Sequence, residues 1–195
     1  MKHLGIEKAV LVGCSLGGEI ILDFYLEHPE MVKALVLVST VPGGFEMQGE
    51  PPQLMMEMIS ALEQKDVQRA SALQVQLLVD GPFRKPEQVD AQVRSCAAEM
   101  NRIAVENGTW LNVDMQPFQL LDPPAAARLK EIRVPALIIA GALDDPEIVR
   151  VAGYMEKAIP TAKRIIIPDA AHVLTMEQPA AFNDAVLAFL QTNGL

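Results

Sequence analysis

Three short segments carry residue types that could do covalent acyl chemistry. The first, Gly13-Cys14-Ser15-Leu16-Gly17-Gly18, fits G-x-S-x-G. It directly follows the apolar run Ala9-Val10-Leu11-Val12 and precedes a helix-like stretch from Glu19 to His28, which Pro29 stops. A sharp strand-to-helix turn of this kind lifts a serine hydroxyl above a sheet, and small flanking residues let the backbone pass without a clash. The backbone N–H of the next residue, Leu16, then points to where a carbonyl oxygen turns negative during acyl transfer, at the positive end of the following helix. Other readings of a glycine-rich turn fit less well. A phosphate-binding loop would need Gly-Lys-Ser/Thr, and the Gly17-Gly18 spacing does not make a dinucleotide fingerprint.

A serine nucleophile needs a base, and the base needs an orienting carboxylate. Of the three histidines, His3 lies upstream of the first strand and His28 closes a helix. His172 lies in Asp169-Ala170-Ala171-His172-Val173, a loop after the final predicted strand, where small neighbours leave room for an imidazole that faces substrate. An acid is expected after the strand Ala136–Ile139, in Gly141-Ala142-Leu143-Asp144-Asp145-Pro146. Asp144 is the favoured partner. Its rival Asp145 precedes a proline, a position suited to opening a helix.

The elements that must position these groups alternate. Predicted strands cover Ala9–Val12, Ala34–Val38, Ala136–Ile139 and Arg164–Ile167, and the helices between and after them include about Pro146–Ala158 and about Pro179–Gln191. The aliphatic runs Ala9–Val12 and Ala34–Val38 suit strands buried on both faces of a parallel sheet, with Ile20, Ile21 and Phe24 turned inward from the first helix. Alternation implies right-handed crossovers, and functional groups in such sheets gather at the carboxyl ends of the strands. From about Glu50 to Lys130 the strand rhythm stops. Helices are predicted there over Pro52–Glu63, Asp66–Val79 and Pro86–Asn107, separated by Gly81-Pro82, Pro86 and Asn107-Gly108. The chain therefore divides into a first core part (1–49), a helical insertion (50–130) and a second core part (131–195).

Composition bounds what this machinery serves. The 195 residues are 50% hydrophobic with 10 Met and few aromatics, enough for one substantial core and an adaptable apolar cavity. A formal charge of −9, with Arg84-Lys85 the densest basic group, argues against nucleic acid. Cys14 and Cys96 form neither a disulfide framework nor a zinc pattern, which points to a reducing, cytoplasmic setting. No apolar run reaches the roughly 20 residues of a membrane span. Leu11-Val12-Gly13-Cys14 imitates a lipoprotein cleavage box, but Glu7 and Lys8 cut short the apolar stretch of about 7–15 residues that a signal requires.

The elbow, Gly141-Ala142-Leu143-Asp144 and Ala171-His172 together resemble the three catalytic segments of the α/β-hydrolase superfamily, in its chain order Ser, Asp, His. The resemblance extends to His28-Pro29-Glu30, to the strand ending in Ser39-Thr40, to Ile132-Arg133-Val134-Pro135 and to Glu177-Gln178-Pro179. The flavour is that of small esterases, enol-lactonases, C–C bond hydrolases and haloperoxidase-like proteins. It implies the C-terminal part of that α/β fold: a parallel sheet of about four strands, flanking helices and an inserted helical cap. It further implies a Ser15–Asp144–His172 triad, Leu16 as an oxyanion donor, a small apolar ester, lactone or related carbonyl substrate, and no metal or cofactor. Dehalogenases of the same fold carry Asp where Ser15 stands. Trp110, Met115 and Phe118 are candidate pocket residues, with Met55, Met56 and Met58, although packing between cap helices is the more usual use of such residues. Cys14 is either a redox-sensitive thiol or a small buried residue.

Members of that family carry further strands, and a second oxyanion donor, ahead of the nucleophile strand. Met1–Ile6 resembles the tail of the helix before that strand, so the chain is expected to begin in mid-domain. Ala9–Val12 would then be an exposed strand edge prone to self-association, and loss of one oxyanion donor costs roughly 10²–10³ in rate. A catalytically silent ligand-binding or scaffold protein of the same fold is the alternative function.

Overall fold

Aliphatic runs pair side by side to form the sheet. The computed structural model describes residues 1–109 and 120–195. Strands β1 (Ala9–Cys14), β2 (Val32–Val38), β3 (Ala136–Gly141) and β4 (Ala162–Ile167) lie in the order β1-β2-β3-β4, every neighbouring pair parallel. Helix α1 (Leu16–Glu27) connects the first two strands, and α6 (Pro146–Ala158) connects the last two. A short α7 (Leu174–Glu177) and α8 (Pro179–Thr192) follow β4.

The two-residue period of β2 splits the core between the faces of the sheet. Leu35 and Leu37 point to one side, where Leu22 and Tyr25 of α1 and Val151 and Met155 of α6 cover them. Ala34, Val36 and Val38 point to the other, against Leu174 and Phe189. All six residues of β3 are buried. The outer strands differ. β1 is buried only at Gly13, and Val12 is 54% exposed, because β1 has a partner on one side only in the described sheet. The expectation of a strand covered on both faces is therefore corrected for β1.

A second correction concerns α1. It starts at Leu16, inside the elbow, and buries Gly18, Leu22, Tyr25 and Leu26. Ile20 is turned out at 54% exposure, while Ile21 and Phe24 pack partly against the core. The close seat of Gly18 against the Thr40 side chain sets which face meets the sheet, and Ile20 falls on the opposite side.

Among the described residues, only helical elements lie between β2 and β3. Helices α2 (Gln53–Glu63), α3 (Val67–Val75) and α4 (Ala91–Glu106) share a small core that includes Met58, Leu62, Ala70, Leu73 and Val105. Asp66 caps α3 by accepting the Arg69 N–H, and Asp90 caps α4 by accepting from Gln92 and Val93. The predicted Asp66–Val79 helix changes character midway: Gln76–Asp80 is π-helical and ends at Gly81, φ 71°, whose N–H bonds the Gln76 carbonyl. The predicted Pro86–Asn107 helix resolves into a 3₁₀ turn at Pro86–Gln88 and then α4. A short α5 (Ala125–Arg128) leads back to β3.

Leu37 is fully buried in the central part of the sheet. Leu37→Ala should lower unfolding stability by about 2–5 kcal/mol, read from urea denaturation.

Candidate active site

The elbow is fixed by close backbone approaches. A Cβ on Gly13 would lie 2.2 Å from the Gly17 carbonyl oxygen, so only glycine fits there. Ser15 has φ 52° and ψ −122°, a left-handed strain of the sort that persists where surrounding structure over-determines it. Its N–H donates to the Val38 carbonyl at 2.8 Å, and its carbonyl accepts from Gly18 N–H at 2.9 Å and from the Thr40 hydroxyl at 2.6 Å. Thr40 thus holds the turn from the end of β2. Leu16 is the first residue of α1, where no carbonyl within the helix can take its N–H.

Cys14 beside Ser15 is exposed, against the reading of a buried filler, because it lies in the edge strand β1. Local crowding around its sulfur, together with the Asp144 charge, pushes the thiol pKa up to about 11. It therefore stays a neutral thiol near pH 7 and a poor nucleophile.

The other two groups leave the ends of β3 and β4. Asp144 is 4% exposed, and its carboxylate oxygens lie 3.2 and 3.0 Å from His172 Nδ1. Oδ1 also accepts the Asp145 N–H at 2.8 Å. Asp145 turns away and caps α6 by accepting the Glu147 N–H at 2.8 Å. The structure thus brings Asp144, and not its neighbour, to the imidazole. Asp144 leaves Nδ1 as the donor of this pair and the other ring nitrogen free to act as a base. Among the described residues no hydrogen bond joins Ser15 Oγ to His172. Contacts of this kind tighten in the substrate complex.

Two loops are pressed together to make this pair. A Cβ on Gly141 would lie 2.3 Å from the Ala170 carbonyl oxygen and 2.4 Å from that of Ala171. Leu143 N–H donates to the Ala170 carbonyl at 2.9 Å, and Ala142 N–H to the Ile167 carbonyl at 2.9 Å.

Two residues acting on the histidine loop were not among the sequence candidates. Glu177 accepts the Ala171 N–H at 2.7 Å and pairs at 2.7 Å with Arg84, whose guanidinium also donates to the Val79 and Asp80 carbonyls that end the π-helical segment. Both side chains are nearly buried, at 10% and 5% exposure. This clamp ties the helical insertion to the loop of His172. In the sequence, Arg84 is visible only as part of a basic pair and Glu177 only as part of Glu-Gln-Pro before a helix. Neither pattern names a partner.

A cavity of about 300 Å³ abuts the pair, lined by His172 and Asp144 and by apolar groups that include Met47, Met55, Leu77, Leu78 and Ile148. Of the methionine candidates, Met55 lines this cavity, Met58 lies in the small core of the helical segment and Met56 is exposed. Trp110, Met115 and Phe118 lie outside the described residues. Glu50, Asp145 and Glu147 border the cavity, and no Lys or Arg lines it among the described residues. Glu147 is held by the Arg150 guanidinium and by the Gln48 N–H, which lower its pKa to about 2. No group of three His, Cys, Asp or Glu side chains among the described residues could hold a metal ion, and no described helix is long and apolar enough to cross a membrane.

The sequence model of the alpha/beta hydrolase fold matches residues 1–179. A pimeloyl-[acyl-carrier protein] methyl ester esterase of Pectobacterium carotovorum is 30% identical over 192 residues, 95% of this chain and 71% of that protein. A Bacillus subtilis protein provisionally named as a 2-succinyl-6-hydroxy-2,4-cyclohexadiene-1-carboxylate synthase is 29% identical over 193 residues, 96% of this chain and 68% of that protein. Among solved structures, a thermophilic esterase is similar with a TM-score of 0.70 at 26% identity, over 96% of this chain and 67% of its own. The N-acyl homoserine lactone degrading enzyme Est816 shares the fold, with a TM-score of 0.75 at 22% identity over 96% of this chain and 70% of its own.

Arg84→Met leaves the Glu177 carboxylate buried without its cation and should cost about 3–5 kcal/mol in urea denaturation. Lys85→Met, on the exposed neighbour, should stay within about 0.5 kcal/mol of the parent. A carboxyl whose folded pKa is depressed, like that of Glu147, adds stability above its ordinary value of 4.5 and loses it as pH falls toward about 2. The stability gap between the parent and Glu147→Gln should therefore be constant above that range and close across it, measured by urea midpoints at stepped pH.

Proposed function

The chain belongs to the α/β hydrolase fold family and is a hydrolase of the carboxylic-ester type, and we propose that it works through Ser15, His172 and Asp144 on a small, apolar ester or lactone. The observation that carries this reading is the buried Asp144 carboxylate on His172 Nδ1, at the same end of the sheet as the strained Ser15 turn and beside an apolar cavity. In the proposed cycle the free nitrogen of His172 takes the Ser15 proton as Oγ attacks the carbonyl carbon. Leu16 N–H stabilises the resulting oxyanion. The proton passes to the leaving alcohol, an acyl-serine forms, and water releases the acid by the same steps in reverse roles. Asp144 keeps the imidazole in the required tautomer and stabilises its charged form.

A cavity of about 300 Å³ is at the small end for ligand sites, and its apolar walls with an acidic border favour a neutral acyl group. The two cysteines are unpaired, which fits a reducing cytoplasm as the place of action, and the partner proposed is a small acyl compound, with neither nucleic acid nor membrane involved. The relatives' names span ester hydrolysis and lactone degradation, and an apolar pocket of this kind suits either bond.

A fluorophosphonate probe should label the parent at Ser15. Ser15→Ala should abolish labelling and lower turnover of p-nitrophenyl butyrate by at least about 10³-fold. Turnover that survives the substitution would remove Ser15 from the mechanism. A folded parent that resists the probe would instead favour a ligand-binding protein of this fold, since labelling requires an activated serine.

A further inference from the structure

The cavity beside His172 has a neighbour. A second space of about 270 Å³ lies between α3, the π-helical segment, α4 and α7. Gln74 lines it, is fully buried, and among the described residues has no hydrogen-bond partner for either its amide nitrogen or its amide oxygen. The other amide on the wall is already used, since Asn101 Nδ2 donates to the carbonyl and hydroxyl of Ser71. The remaining surface is apolar, with Val75, Val79, Met100 and Met176 among its residues.

A buried amide with neither end satisfied is costly, and a leucine of similar size would fill the place without that cost. Gln74 is therefore suited to a guest that presents both an N–H donor and a carbonyl acceptor. A charged carboxylate does not meet this need. It offers no donor, no Lys or Arg lines the space among the described residues, and residues 110–119 contain neither. A ketone satisfies only half of the amide. An aliphatic amide satisfies both halves and buries its chain against the apolar wall.

Position connects this space to the chemistry. Leu78, in the π-helical segment, lines both cavities, and Val173, next to His172, lines the second. We propose that the second cavity binds the amide group of an aliphatic ligand through Gln74, and that Leu78 makes it the distal extension of the acyl site. The binding half stands by itself; the extension rests on the hydrolase reading.

The test uses the whole chain and three probes, hexanamide, 2-heptanone and hexanoate, titrated calorimetrically. Hexanamide should bind about tenfold more tightly than 2-heptanone, the worth of a hydrogen bond gained in a dry site, and hexanoate should bind more weakly still. Gln74→Leu should erase the preference without lowering the Tm, and Ser15→Ala should leave it intact. Met100→Trp, at the 61% exposed rim, should weaken hexanamide binding and serves as the deciding variant if Gln74→Leu does not fold. Equal affinity for amide and ketone, a preference that survives Gln74→Leu, or hexanamide binding untouched by Met100→Trp overturns the site and leaves Gln74 satisfied by water alone. In turnover, hexanamide should compete with p-nitrophenyl octanoate and not with p-nitrophenyl acetate. Inhibition of both or of neither overturns the extension. A parent that hydrolyses no ester overturns the hydrolase reading, and the titration still decides the site.

Discussion

At the carboxyl ends of β1 and β3 the backbone runs so close to the chain around it that no side chain fits. Gly13 lies under the Gly17 carbonyl, and Gly141 lies against the carbonyls of Ala170 and Ala171. These contacts fix two distances on which the candidate chemistry depends. The first bends the chain from strand to helix in one residue and forces Ser15 into its left-handed conformation. The second brings the acid loop and the histidine loop into backbone hydrogen-bond contact, so that Asp144 meets Nδ1 of His172. A Cβ at either place would push apart the segments that carry Ser15, Asp144 and His172.

The sheet supplies the rigidity these approaches need. β2 and β3 are buried on both faces, and their side chains interlock with α1 and α6 on one side and α7 and α8 on the other. Strain at Ser15 persists because its N–H and carbonyl are held by Val38, Gly18 and Thr40, which are set by that packing. The strained residue and the stable core are thus one arrangement seen at two distances from the site.

The helical insertion is joined to this core by charge as well as by packing. Arg84 satisfies the carbonyls that end the π-helical segment and reaches Glu177, which in turn holds the Ala171 N–H. A nearly buried ion pair of this sort adds little net stability over an apolar substitute, but it has one geometry and penalises every other. It makes the position of the insertion and that of the histidine loop dependent on one another. Gly81 adds a steric contact of the same kind, since a Cβ there would meet the Leu143 carbonyl and the Ala171 side chain.

The sequence by itself determined the succession of strands and helices, the elbow at Ser15, the helical character of the insertion and the short list of groups able to act as base and acid. Those features are local: alternation, apolar runs, caps and glycine spacing act on neighbouring residues and leave a readable pattern. The tertiary structure decided the rest. It decided that Asp144 turns to His172 while Asp145 caps α6, that β1 is half exposed at the margin of the described sheet, that Ile20 faces outward, and that Arg84 meets Glu177. It also left Gln74 buried beside a cavity without a partner among the described residues. Each of these depends on segments far apart in the chain coming together, and a residue's own neighbours carry no record of which distant group it will meet.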